Sequence, residues 1–293
     1  MRSFRARFAD AGGPAGALRV SNSQTGSAAP AAILALLLVS FVVVTAYIFA
    51  ARLFPAPPAI TYIGLLVDHE YDLTLYATGA IFVLTQLGLA YAVFRFRDRG
   101  QCARFTRGNI AMEVLCTSAT VLIFLGLGIL GRKAWAEVRF TEAAADAIQI
   151  EVTESQFQFY FRYPGADRTF GRLDPAFVSP AIGNPPGLDP NDAAGKDDIV
   201  ASATLTVPVN HEIELLIRSQ DVIHNFFVRE LRLQQDAVPG LIVPLHFTPN
   251  KIGQFEIVCT QLCGLGHFRM HSSLNVVFDA DYQDFLKQQA VSQ

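Results

Sequence analysis

Residues Glu256–His271 read EIVCTQLCGLGHFRMH, an apolar run followed by Cys259, Cys263, His267 and Met270 on one short loop. Two thiols, an imidazole and a thioether form a soft donor set of the kind copper electron-transfer sites use, the weak thioether tuning the potential. One Cys would serve a mononuclear site. A second thiolate close by lets both sulfurs bridge two copper ions, each of which then needs an imidazole, and only His267 lies in the loop. Two other readings of these residues stay open. A zinc site could use the Cys and His residues but has no use for Met270, and Cys259 and Cys263 could form a disulfide in an oxidising compartment.

The second imidazole has a source in Asp221–Phe227, DVIHNFF, where His224 stands between two apolar runs. Together, DVIHNFFVRELRLQQDAVPG (221–240) and CTQLCGLGHFRM (259–270) resemble subunit II of the haem-copper cytochrome c oxidases. The resemblance covers about residues 71–280 and is most specific over 221–240 and 256–270. It implies a dinuclear copper centre, CuA, that takes electrons from cytochrome c and passes them to the haem and copper of subunit I. The ligands it implies are His224 and Met270 on one copper, His267 and the backbone carbonyl of Gln261 on the other, with Cys259 and Cys263 bridging. Relatives usually carry Glu at position 261, where the carboxylate is associated with an interfacial magnesium. Gln261 keeps the carbonyl and drops the carboxylate, so the resemblance does not extend to that ion.

Across 293 residues, 51% are hydrophobic and the mean hydropathy is +0.31, which is high for a soluble protein and calls for membrane segments. Ala31–Ala51 contains 21 residues without a charge, enough to cross a bilayer. We read residues 31–54 as a retained crossing, extra to the family's usual helix pair, with a signal sequence as the alternative. Residues 1–30, with Arg2, Arg5, Arg7 and Arg19, read as a flexible basic tail.

Phe54-Pro55-Ala56-Pro57-Pro58 ends the first segment, because proline lacks a donor and restricts its predecessor. Uncharged Leu73–Phe94 and the run from about Ile110 to Gly131 follow, and residues 71–133 resemble the transmembrane hairpin that anchors the family's copper domain. The basic tail and the loop RFRDRGQCARFTRG (95–108) belong on the cytoplasmic side, while the 55–72 loop, without Lys or Arg, belongs outside. Three crossings then deliver residues 141–293 to the extracytoplasmic face of a bacterial-type inner membrane. In GNIAMEVLCTS, Glu113 matches a family residue at the mouth of a proton pathway shared with subunit I. Its plainer reading is a first-turn carboxylate behind an Asn109 cap.

Past the membrane, Ala147–Ser155 alternates apolar and polar residues as a half-buried strand does. Further strands are expected over Ile199–Val209, Glu212–Arg218, Ile223–Arg229, Leu241–Thr248, Gln254–Cys259 and Ser273–Phe278, with residues 164–198 as a long Pro/Gly/Asp-rich insertion. This pattern indicates an all-β antiparallel sandwich, which the resemblance makes a cupredoxin-like Greek key. Asp279 is expected to cap a last helix presenting Tyr282, Phe285 and Leu286 on one side. In QFQFYFRYPG (156–165), Phe157 and Phe159 occupy positions where relatives carry Trp, the first being their electron-entry residue, so Phe157 is the candidate here. Gly264 and Gly266 let the copper loop fold tightly.

Residues 1–140 carry 13 basic and 7 acidic side chains and residues 141–293 carry 10 and 19, so the outer domain is acidic and suited to steering a cationic donor such as cytochrome c. No P-loop, nucleotide fingerprint, hydrolytic triad or Cys-x-x-Cys-His haem motif is present, and no nucleic-acid partner is expected. The reading is thus an electron-entry subunit of a proton-translocating terminal oxidase, assembled with subunit I and other oxidase subunits. The alternatives are the CuA subunit of a nitric oxide reductase and a copper-binding or delivery protein.

Overall fold

The computed structural model describes residues 28–97, 99 and 108–291. Most of the expected basic tail, together with Cys102, Arg104 and Arg107, lies outside the described residues. By contact the chain falls into two units, 1–51 with 82–107, and 52–81 with 108–293.

The first unit holds α1 (Ala28–Ala50) and the end of α2 (Tyr62–Arg95), where Phe41 meets Phe82 edge to face at 5.7 Å. α1, α2 and α3 (Ile110–Arg139) are each long and apolar enough to cross a membrane. Two of them outrun their expected bounds. α2 begins at Tyr62, so residues 62–72, expected as loop, are helical despite Asp68, Glu70 and Asp72. Its 34 residues span about 51 Å at 1.5 Å per residue, against a hydrocarbon core of about 30 Å, so its ends project from the apolar layer. α3 runs two turns past Gly131 to Arg139, and its N-cap is Asn109, whose side chain accepts from Ala111 N and Met112 N.

In the second unit, the segment before α2 is stitched into the β-domain. Ile60 is buried in its core, Ile60 N donates to Glu230 O, and Asn250 N donates to Ile60 O. Thr61 Oγ1 accepts from Gly64 N at 2.9 Å and donates to Leu231 O. Arg232 Nε pairs with Asp68 at 2.7 Å, and Arg139 Nη1 of α3 bonds Gln235. These bonds tie the start of α2 to the sandwich.

The β-domain is a sandwich of two five-stranded sheets, made from β1 (Ile148–Ser155), β2 (Gln158–Tyr163), β3 (Ile199–Ser202), β4 (Thr204–Pro208), β5 (Ile213–Ser219), β6 (His224–Val228), β7 (Leu233–Ala237), β8 (Val243–Phe247), β9 (Gly253–Val258) and β10 (His271–Val277). The sheet orders are β3-β2-β1-β5-β8 and β4-β10-β9-β6-β7. The sandwich is therefore mixed and not antiparallel throughout, since β1 runs parallel to β5 and β10 parallel to β4. The expected strand over Ile199–Val209 is two strands in different sheets, divided at Ala203 with φ of 70°. That left-handed residue turns the chain from one sheet to the other.

Inner-facing Ile150, Val152, Phe159, Phe161, Leu205, Leu215, Phe226 and Leu274 fill the core. α4 (Asp279–Val291) closes one side, setting Tyr282 and Phe285 against Tyr163. On the outer face of the first sheet, buried Arg162 pairs with Glu151, with Asp198 at 2.7 Å and with Gly171 O at 2.8 Å. Arg218 holds the second Glu151 oxygen at 3.0 Å. The 164–198 insertion is thereby fastened across β2.

Candidate metal centre

Three segments meet at one end of the sandwich: the start of β6, the loop between β9 and β10, and the turn between β1 and β2. Ligand atoms of His224, Cys259 and Cys263 lie within 4.8 Å of one another, and all three residues are buried. Cys259 Sγ and Cys263 Sγ are 3.9 Å apart, well beyond a disulfide bond of about 2.05 Å. Met270 Sδ is 3.9 Å from Cys263 Sγ and 3.1 Å from His224 Nδ1. His267 Nδ1 stands 3.6 Å from Cys263 Sγ, and the Gln261 carbonyl accepts from the Cys259 thiol at 3.1 Å. All six residues of the expected set thus converge. Soft sulfur and imidazole donors packed this closely fit copper, and buried Met270 has a place among them that zinc would leave unused.

The tautomer of His224 follows from its surroundings. Nε2 lies 2.6 Å from Asp221 Oδ1, and a carboxylate only accepts, so Nε2 carries the proton and Nδ1 turns its lone pair toward the sulfurs. Burial alone raises the Asp221 carboxyl, but hydrogen bonds from Gln156 N, His224 and Val222 N outweigh it and hold the group below its ordinary range. Asp221 is a residue the sequence reading passed over. Its signal was available three positions before His224, in the DVIH string itself. The Cys263 thiol is pushed up to about 11, first by burial and then by the neighbouring Cys259. The Cys263 thiol is therefore protonated at neutral pH until a metal displaces the proton.

Phe157 is half-buried and packs against the core. A Cβ on Gly266 would lie 2.3 Å from the Phe157 ring, and one on Gly264, where φ is 139°, would meet Gln156 Nε2 at 2.8 Å. The glycines thus admit the β1–β2 turn against the loop, and Gln156 Nε2 secures the approach with a 2.6 Å bond to Cys263 O. Leu262, Leu265 and Phe268 stand exposed around the same loop. Glu113 is exposed on the first turn of α3, remote in sequence from this cluster. His271 is exposed and opens β10, Cys116 is exposed on α3, and His246 pairs with Glu212 at 3.1 Å.

The inner face of β1 also carries Glu154, fully buried, with neither carboxyl oxygen hydrogen-bonded. Burial, and then the nearby Asp236 charge, raise it well above the ordinary carboxylate range.

Fold and cluster define a class: a cupredoxin-like β-sandwich, carried with membrane-type helices, with a buried cluster of soft donors that could hold a metal. The family model for "Cytochrome C oxidase subunit II, periplasmic domain" matches residues 189–280. The chain is 33% identical over 225 residues to the alternative cytochrome c oxidase subunit 2 of Bradyrhizobium diazoefficiens, covering 76% of this chain and 80% of that protein. It is 29% identical over 220 residues to cytochrome c oxidase subunit 2 of Cereibacter sphaeroides, covering 71% of each. Among solved structures, the periplasmic domain of subunit II of cytochrome oxidase of Bradyrhizobium japonicum matches with a TM-score of 0.36 at 23% identity, over 52% of this chain and 97% of that one. The chain belongs to the cytochrome c oxidase subunit II family, and its enzymatic designation is that of an oxidase subunit.

Proposed function

We propose that the chain is the electron-entry subunit of a proton-translocating terminal oxidase, with a dinuclear CuA centre at the end of its sandwich. The observation that carries this reading is the convergence of both thiols, His224, His267 and Met270 from two separate segments. Copper held there supplies reversible one-electron storage. His224 and Met270 would hold one ion, His267 and the Gln261 carbonyl the other, with Cys259 and Cys263 between them. Asp221 keeps Nδ1 of His224 available as a donor atom. The sandwich end fixes the donors, so that little moves when charge changes.

Phe157, lying on the loop, is the proposed entry residue, and exposed Leu262, Leu265 and Phe268 would exclude water where cytochrome c docks. Electrons would leave for the haem and copper of subunit I, where oxygen is reduced. The three helices anchor the chain as a multi-pass protein of the inner membrane with residues 141–293 outside, the 71–133 hairpin serving as the family's anchor. Glu113 is the proposed proton-pathway residue. We assign no magnesium to Gln261, which lacks the carboxylate for it.

The test is purification of the tagged chain with its complex. Co-isolation with a haem subunit and oxygen consumption driven by reduced cytochrome c, lost in Cys263→Ser, are expected. Isolation without haem would favour copper delivery, and turnover of nitric oxide in place of oxygen would favour a reductase.

A further inference from the structure

The ladder between β6 and β9 stops just before the metal end. Its last pairs are Val228 with Ile257 and Phe227 with Val258. Continued in the same register, it would pair Asn225 with Thr260 and His224 with Gln261, but no backbone ladder forms there. The strands part where the candidate ligands begin. At that opening the side chains take over: Thr260 Oγ1 donates to Asn225 Oδ1 at 2.5 Å, and Gln234 Nε2 donates to Thr260 Oγ1 at 3.1 Å. The other end of the Asn225 carboxamide donates from Nδ2 to Asp236 Oδ1 at 2.6 Å. Asn225 is fully buried. The Asp236 carboxylate only accepts, so Nδ2 must face it and Oδ1 must face Thr260, which leaves the amide one orientation.

We infer that Asn225 is a positioning residue for the metal centre: its carboxamide clamps Thr260 across the parted strands and sets the separation of His224 from Cys259. Each clamped residue is the chain neighbour of a candidate ligand, Asn225 following His224 and Thr260 following Cys259. With the clamp released, the β9 exit keeps on this side the ladder one residue back and, while Thr260 is present, the Gln234 bond, and the loop sulfurs can drift relative to the imidazole. On the opposite side Cys259 N remains bonded to Met270 O at 3.1 Å, so release shifts the site without dissolving it.

The inference rests on the copper reading above, and its test separates the two. The full-length chain, purified in detergent and titrated with copper ions, is compared with Thr260→Val, Thr260→Ser, Asn225→Ala and the Asn225→Ala/Thr260→Val double variant. Thr260→Val and Asn225→Ala are expected to lose about 10–100-fold in copper affinity and to alter the copper EPR hyperfine pattern. Thr260→Ser, which keeps the hydroxyl, is expected to retain wild-type values. The double variant should lose clearly less than the two single losses combined, because both break the bond between Thr260 and Asn225. Should Asn225→Ala fail to fold, near-isosteric Thr260→Val carries the test. Wild-type affinity and EPR in Thr260→Val, or equal losses in Thr260→Val and Thr260→Ser, would overturn the clamp while leaving the copper reading intact. Failure of the wild-type chain to take up copper would instead overturn the site reading itself.

Discussion

His224 has one ring nitrogen engaged by Asp221 and the other turned toward Met270 Sδ, so the two roles can be separated by substitution. Asp221→Ala removes the partner that fixes the tautomer, and copper affinity is expected to fall about 10–100-fold; an unchanged titration would count against the assignment. The cysteines make a pH prediction. Because the Cys263 thiol is raised to about 11, copper must displace a proton at any lower pH, and apparent affinity should rise with pH across the neutral range. The expected slope is about tenfold per pH unit for each proton released, measurable by titration at several pH values in a competing chelator. Glu154 gives a stability prediction of opposite sense. Its carboxyl is raised in the folded chain, so the folded state holds a proton that the unfolded state releases, and stability falls as pH rises above the unfolded value. Glu154→Leu removes a buried group without partners and is expected to stabilise the apo protein by about 1–3 kcal/mol at pH 7, with a smaller gain at pH 4. A denaturant series showing no gain would mean that the carboxyl finds a partner.

Among the elements, what could be read from sequence was decided by how regularly burial alternates. β5 is buried at every second residue, and β10 nearly so, and both were legible. β7, LQQDA, has a polar centre and buries only its ends, so its alternation was invisible and the strand was missed. The acidic residues of α2 hid its first turns, which are held by bonds to residues 230–232 and 250 far along the chain. Parallel pairing of β1 with β5 depends on which strands meet, a matter side-chain period does not encode. The insertion at 164–198 read as loop because its order comes from isolated bridges and side-chain bonds, such as Arg172 with Asp189, and from the buried Arg162 guanidinium at its two ends. Arg162→Ala would leave Glu151 and Asp198 buried with part of their compensation gone, and is expected to cost about 3–5 kcal/mol in chemical denaturation. A loss under 1 kcal/mol would show that solvent reaches these carboxylates.

For the molecule as a whole, the residues that converge at the candidate site could be picked out because Cys, His and Met are scarce and their chemistry is carried by residue type. Their supports were not, because Asp221, Asn225, Thr260 and Gln156 are common polar residues whose roles arise only when β1, β6 and β9 are brought together. The central claim is that this end of the sandwich holds a copper pair. Metal analysis with EPR on the copper-loaded full-length chain tests it most directly. Two copper ions per chain, sharing one unpaired electron in a delocalised mixed-valence signal that Met270→Leu perturbs, is the predicted result. A single copper with a localised signal, or bound zinc, would contradict it.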